Sequence, residues 1–397
     1  MHLLFFNSAF PQPSQTFVLD QVRHAVGLGL DVTVFAKRYS PVLAREHAAD
    51  LEALVIHDRP RNAAMLAGIA RGAARHPRHI GVFADRRAAL ALHASDLVCA
   101  LQTKGVPDAI IANFGQNGIA AARIKQAFFP GARLAVIFHG WDLSGYVAAN
   151  GWEDYRRAAP AIDVAIAVNR PWAERLRANT PIRNVAVHHL GVDPARIAVR
   201  PIVPRGDRPF AVLFVGRMVE KKGLDVLIAA AAQLTARGHA LTIDVVGDGP
   251  EDVRFRAAAA ESGLAEVIRF HGGQPHPAVL AMMQESDCLV LPSVTAANGD
   301  QEGIPVTLME AMAAGLPAVS TFHSGIPELI ADGESGLLVP ERDSAALAAA
   351  LERLIREDSL GRRLAAAGRA TIERDFNANT QNRVLFELIL GARLSAP

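Results

Sequence analysis

The stretch Asp300–Gly315, DQEGIPVTLMEAMAAG, reads as a charged loop feeding a helix with a carboxylate at each working end. Glu302 lies just before the helix and Glu310 inside it. Pro305 suits a first helical position, where its missing N–H costs nothing, while Met309, Met312 and Ala313 form an inward stripe and Gly315 supplies the stop. The helix is therefore expected to begin near Ile304, with the N–H groups of Gly303, Ile304 and Val306 forming an anion site at the positive end of its dipole. From Glu302 to Glu310 is at most ~12 Å at the helical rise. Two carboxylates so spaced can grip opposite ends of one extended ligand whose phosphates sit at the helix N-terminus, the layout of a nucleotide-sugar. Taken alone, the window fits equally well a dipole-favoured charge and a solvated surface glutamate.

The rest of the chain has to decide. With 397 residues, half of them apolar, it is long enough for two domains of ordinary size and too long for one core. Two cysteines, Cys99 and Cys288, fall far apart in strand contexts and read as buried reduced thiols, which suits a reducing compartment and excludes a disulfide framework. The N-terminus enters a strand pattern at once, without a basic leader or cleavage site, and no apolar run approaches the roughly 18 residues of a spanning helix. A cytoplasmic location follows as the expectation, peripheral at the inner face of the membrane if the protein meets lipid. The first 200 residues hold 23 Lys and Arg against 15 Asp and Glu, and the remainder 18 against 25. Such asymmetry suits a basic half facing an anionic acceptor or lipid headgroups, or two domains attracting each other.

Along the chain, residues 2–7 form a first strand, FPQPSQTF a loop, roughly 15–28 a helix and DVTVFAK a second strand, the opening of a parallel α/β unit. The first loop lacks a G-x-G-x-x-G fingerprint, which argues against a dinucleotide site and a dehydrogenase. Residues 60–104 carry Arg61, Arg71, Arg75, Arg78, Arg86 and Arg87 among apolar residues, a pattern of amphipathic helices that cover a sheet or touch a membrane surface. Strands follow at 108–115 and 134–138; the second, LAVIF, ends in His139-Gly140-Trp141-Asp142. Ligands of open α/β sheets bind outside the carboxyl ends of strands, which is where His139 stands, next to a glycine that allows close approach. AIDVAIAV adds a strand and HHLGVD (188–193) closes the half, giving an N-terminal domain over 1–199.

The proline- and charge-rich segment 200–209 reads as a linker, after which the pattern restarts over 210–375: PFAVLFVGR strand, MVEKKG loop, LDVLIAAAAQL helix, LTIDVVGDGP strand. Arg217 follows the first of these strands and Lys222 stands just before Gly223 and the helix, two cations suited to phosphate oxygens. Strands IRFHG, CLVLPS, AVS and GLLVP complete the half, and residues 376–397 form a helix long enough to return to the first domain.

With Gly216-Arg217, Lys222-Gly223, Glu302-x7-Glu310 and Gly315-x-Pro317 in this order, the chain resembles the retaining glycosyltransferases of family 4 over nearly its whole length. The motifs FHGWD (138–142), HLGVD (189–193) and LPSVTAANGDQEGIPVTLMEAM (291–312) are most similar to enzymes of exopolysaccharide assembly, including the colanic acid group. The resemblance implies the α/β GT-B fold: two Rossmann-like domains facing across a cleft, the first for the acceptor, the second for a nucleotide-sugar donor, with the C-terminal helix crossing back. It implies that Arg217 and Lys222 bind the donor diphosphate with the amides of Gly303 and Ile304, that Glu310 binds the ribose, and that Glu302 and His139 are the catalytic pair at the sugar. Ser14, Gln15 and Thr16, with Asp142, are the candidate acceptor loop; many relatives carry a Gly-Gly pair in that first loop.

No Asp-x-Asp motif stands at a strand end to hold a divalent ion, so the leaving diphosphate is expected to be stabilised by Arg217, Lys222 and the helix N-terminus, with neither metal nor cofactor. The expected partners are a UDP- or GDP-hexose and a polyprenyl-diphosphate-linked oligosaccharide acceptor, with no nucleic acid. Two other readings keep the motifs: the same enzyme acting on a soluble acceptor, and a non-catalytic nucleotide-sugar-binding scaffold.

Overall fold

The computed structural model describes residues 1–12, 15–57, 74, 94–201 and 206–391. The chain divides into two compact units, Met1–His188 with Asn382–Pro397, and His189–Gln381. In the first, β1 (His2–Phe10), β2 (Asp31–Tyr39), β3 (Val55–His57), β4 (Ala109–Asn113), β5 (Arg133–Phe138), β6 (Val164–Ala167) and β7 (Val185–Val187) form a sheet in the order β3-β2-β1-β4-β5-β6-β7. Every pairing is parallel. β4 is buried along its whole length, and Leu3, Leu4, Phe5 and Phe6 of β1 are fully buried, because a parallel sheet is covered on both faces.

The second unit repeats the plan. β8 (Phe210–Val215), β9 (Leu241–Val246), β10 (Ile268–Gly272), β11 (Cys288–Val290), β12 (Ala318–Thr321) and β13 (Leu337–Val339) pair in parallel in the order β10-β9-β8-β11-β12-β13. Each sheet thus reverses direction once, at β1/β4 and at β8/β11, the two places where this architecture leaves a crevice at the strands' carboxyl ends. Two Rossmann-like α/β units are what the sequence pattern requires. Cys99 and Cys288 are buried thiols, and burial pushes that of Cys288 well up from its ordinary range.

Two expectations need adjustment. HHLGVD, read as closing the first half, divides between the units: His188 belongs to the first and His189 opens the second. Val192 N–H donates to Phe376 O at 3.0 Å, and a Cβ on Gly191 would meet that oxygen at 2.5 Å, so the segment is locked onto the second unit's own backbone. The segment read as a linker is anchored at both described ends to one carboxylate. Asp287 accepts from Arg200 at 3.1 Å, from Arg208 at 2.7 Å through each oxygen, and from the backbone N–H of Ala211 at 2.9 Å. The arginines named between 61 and 87, and Ser14, lie outside the described residues.

The C-terminal helix, Ala378–Leu390, belongs to the first unit from Asn382 onward: Leu385, Phe386 and Ile389 are buried, and Phe386 meets Phe5 edge-on at 6.5 Å. No described helix is long and apolar enough to cross a membrane.

Candidate functional site

The helix that opened the reading runs Val306–Ala313, two residues later than expected. Ile304 precedes a proline and is driven out of the helical region by the ring, and Pro305 itself is extended (φ −65°, ψ 123°), serving as the cap rather than the first turn. The leading helical amides are therefore those of Val306 and Thr307. Gly303 and Ile304 sit buried in the loop ahead of them, so the anion site expected at their amides is not part of the helix terminus. The inward stripe holds: Leu308, Met309, Met312 and Ala313 are buried to 1 % exposure or less. So does the stop, where Gly315 takes φ +69°, its N–H reaches Met312 O at 3.0 Å and Leu316 N–H reaches Ala311 O at 2.9 Å, a paired closure that satisfies the last carbonyls.

Glu302 lies in the irregular loop after β11, its side chain 11 % exposed. Lys222 Nζ stands 3.1 Å from Oε2, and Lys221 Nζ 3.3 Å from Oε1, although the latter lacks an aligned hydrogen bond. Burial opposes ionisation, but the two ammonium groups overcome it and pull the carboxyl down to about 2. Lys221 is held as firmly: Glu302 and Asp300 raise it above an ordinary lysine against the burial that would lower it. Since the lysines end the loop after β8 and Glu302 ends the loop after β11, these pairs join the two loops that flank the switch point of the second sheet. The join is close. A Cβ on Gly223 (φ +68°) would fall 1.9 Å from Pro292 O.

Arg217 is exposed one residue beyond Gly216 and makes no ion pair with any described residue. Glu310 accepts from His276 Nε2 at 2.8 Å, a partner the sequence did not announce. Two further groups went unremarked there. His323, 0 % exposed, accepts the Glu302 backbone N–H on Nε2 at 3.0 Å and meets Glu341 Oε1 through Nδ1 at 2.6 Å. Glu341 also accepts the Thr295 N–H at 2.7 Å.

The first unit gathers a separate set around His139. Its ring lies 4.5 Å from the rings of both Phe17 and Phe114, and Nε2 is 2.9 Å from Asn113 Oδ1, whose Nδ2 donates to Gln21 Oε1 at 3.0 Å. Nδ1 is buried with no described partner. Desolvation, with His188 nearby, drives the imidazole down to about 3, so it is neutral at any ordinary pH. Gln15 and Thr16 begin the helix that carries Phe17, Gln15 as the residue before its first turn and Thr16 exposed. Asp142, grouped with the acceptor loop from sequence, turns inward instead. It is 0 % exposed and accepts the N–H groups of Gly115, His139 and Gly140 at 2.9, 3.1 and 2.7 Å. Its carboxylate fixes the loop that presents His139 and the half-exposed Trp141, leaving no oxygen for a substrate. Among the described residues no cluster of His, Cys, Asp or Glu is arranged to hold a metal ion.

Two family models match the chain. Residues 14–196 match the model described as Glycosyltransferase Family 4, and residues 196–371 that described as Glycosyl transferases group 1. A Salmonella typhimurium protein named as a colanic acid biosynthesis glycosyltransferase is 36 % identical, covering 98 % of this chain and 99 % of its own. An amylovoran biosynthesis glycosyltransferase of Erwinia amylovora is 33 % identical over the same shares. The Anabaena protein HepE, crystallised with UDP, superposes with a TM-score of 0.72 at 19 % identity, covering 98 % of this chain and 99 % of its own, which shows the fold. With full-length relatives, both family models and two Rossmann-like units of GT-B type, the chain belongs to the family 4 glycosyltransferases and is a transferase of sugars.

Proposed function

We propose that the protein transfers a hexose from a UDP- or GDP-sugar to a lipid-linked oligosaccharide in exopolysaccharide assembly, retaining the anomeric configuration. The observation that carries this reading is the buried, ionised Glu302 held by Lys221 and Lys222 directly in front of the Val306–Ala313 helix. A permanent carboxylate of this kind can hold sugar hydroxyls and favour positive charge at an anomeric carbon, while the lysines and helix amides favour negative charge on the departing diphosphate. Arg217, exposed and unpaired among the described residues, adds a bidentate donor for phosphate oxygens. Glu310 with His276 is suited to ribose hydroxyls. Neutral His139 is suited to a hydrogen bond with a sugar hydroxyl rather than to proton transfer.

Retention would follow from attack on the face the diphosphate leaves, with a departing phosphate oxygen taking the acceptor's proton. The charge on that group would be met by Arg217, the lysines and the helix terminus, without a metal. The pathway is supported by the relatives named for colanic acid and amylovoran, and a uridine donor by the UDP bound to HepE.

The test is incubation of the purified protein with labelled UDP- and GDP-hexoses and a polyprenyl-diphosphate-linked oligosaccharide in vesicles, the product's anomeric configuration being read by NMR. Absence of both transfer and donor hydrolysis in folded protein overturns the reading. Transfer only to soluble sugars, with no vesicle flotation, overturns the lipid-linked acceptor and the membrane contact.

A further inference from the structure

Glu302 is carried by an irregular loop that runs from the end of β11 to the Val306–Ala313 helix, so something other than secondary structure must hold its carboxylate in place. Two residues close the neck of that loop. Glu341, just beyond β13, accepts the N–H of Thr295 near the loop's start. His323, just beyond β12, accepts the N–H of Glu302 near its end, and the two side chains meet at 2.6 Å. A backbone N–H can only donate, so Nε2 of His323 must carry the lone pair and Nδ1 the proton, which is the form a carboxylate at Nδ1 selects. The pair is sheltered, with His323 fully buried; partial burial opposes ionisation of Glu341, but Thr295 and His323 hold it below its ordinary value.

We propose that His323, locked by Glu341 as the neutral Nδ1–H tautomer, is a positioning residue that sets the Glu302 carboxylate for sugar transfer. This rests on the glycosyl-transfer reading of Glu302 given above. The lysines fix the charge of that carboxylate, and the His323–Glu341 strap fixes the backbone from which it projects. Loss of the strap displaces the carboxylate without removing it, and a displacement of about 1 Å at a reacting centre costs on the order of 10²-fold in rate.

The experiment has two arms on the full-length chain. In the first, ¹⁵N spectra of histidine-labelled protein, assigned by comparison with H323Q, are expected to show His323 protonated on Nδ1 and bare on Nε2. An Nε2–H tautomer overturns the proposal whatever the activity. In the second, kcat and the dissociation constants of UDP and GDP are measured for H323L, H323Q and E341Q. H323L is expected to lose about 10²-fold in kcat with nucleotide affinity changed by less than about threefold. H323Q keeps an oxygen to accept the Glu302 N–H and is expected to recover most of the rate. E341Q, which presents an amide donor and cannot serve both Thr295 and Nδ1–H, is expected to behave like H323L and covers the case in which H323L does not fold. A wild-type chain that transfers from none of the sugar donors overturns the functional reading and this role together. An active wild type beside H323L and E341Q variants of undiminished kcat overturns this role alone.

Discussion

Lys222 Nζ stands 3.1 Å from Glu302 Oε2, so a lysine suited to a diphosphate is also engaged by a buried carboxylate. An ammonium carries three donors, and its ion pair with Glu302 leaves donors that can still turn to phosphate oxygens. In the proposed reading, the pairing links the carboxylate assigned to the sugar with a cation assigned to the diphosphate.

From that link, substitutions separate by what they remove. Glu302→Gln and His139→Ala are expected to lower kcat by about 10²-fold with little change in nucleotide binding, whereas Arg217→Ala and Lys222→Ala weaken both. Steady-state kinetics with calorimetric titration of UDP and GDP distinguish the two classes. Wild-type turnover in Glu302→Gln or His139→Ala would remove those residues from the chemistry.

Acid should loosen the same cluster. The folded carboxyl of Glu302 lies at about 2 and an unperturbed glutamate near 4.3, so its ionisation favours the folded state above the unfolded value and that contribution is lost as pH falls towards 2. The full contribution is roughly 3 kcal/mol. Denaturation of wild type and Glu302→Gln at pH 7 and pH 3 measures it: the stability difference between them should shift in favour of the variant on acidification, and a difference independent of pH would refute the account.

Gly223 is placed where no side chain fits. With φ at +68° and a Cβ 1.9 Å from Pro292 O, Gly223→Ala must part the loops after β8 and β11. A loss of about 3 kcal/mol is expected, with weaker nucleotide binding because Lys222 is its neighbour. Gly263→Ala has a similar φ of +71° and nothing within 4 Å, so it serves as the control for backbone strain alone. Equal melting temperatures for the two variants would show that the close approach is unimportant.

If the cations and helix terminus carry the leaving-group charge, transfer should persist at an unchanged rate after dialysis against EDTA and without added divalent ions. Activity that disappears on chelation and returns with magnesium or manganese would overturn that division of labour.

Much of this arrangement is legible in the chain because its signals are local. Continuous apolar runs such as AIIAN and LAVIF mark buried parallel strands, Arg217, Lys222 and Glu302 fall at strand or helix ends recognisable from glycines and prolines, and Glu310 falls inside the helix they mark. Lys221 was passed over because two adjacent lysines do not announce which one turns inward; the short turn Glu220–Lys222 sends both to Glu302. His323 and Glu341 were invisible for another reason. They reach Glu302 and Thr295 only after β11, β12 and β13 lie side by side, across sequence separations of 21 and 46 residues that carry no periodicity. The late start of the Val306–Ala313 helix shows the limit of a proline rule: Pro305 fits a first turn, but it keeps Ile304 out of the helix and is itself extended, so it serves as the cap.

Asp287 gives the chain an unusual tolerance. Arg200 and Arg208 end on the same carboxylate, and Ala211 N–H joins them, so both ties hold the chain to one point. Residues spliced between the two ties would lengthen the connection between them rather than part the strand that follows from its neighbour. Each doubling of such a loop costs only about 0.6 kcal/mol. A fluorescent tag or a short epitope can therefore be carried there while β8 and the lysines beyond it keep their register.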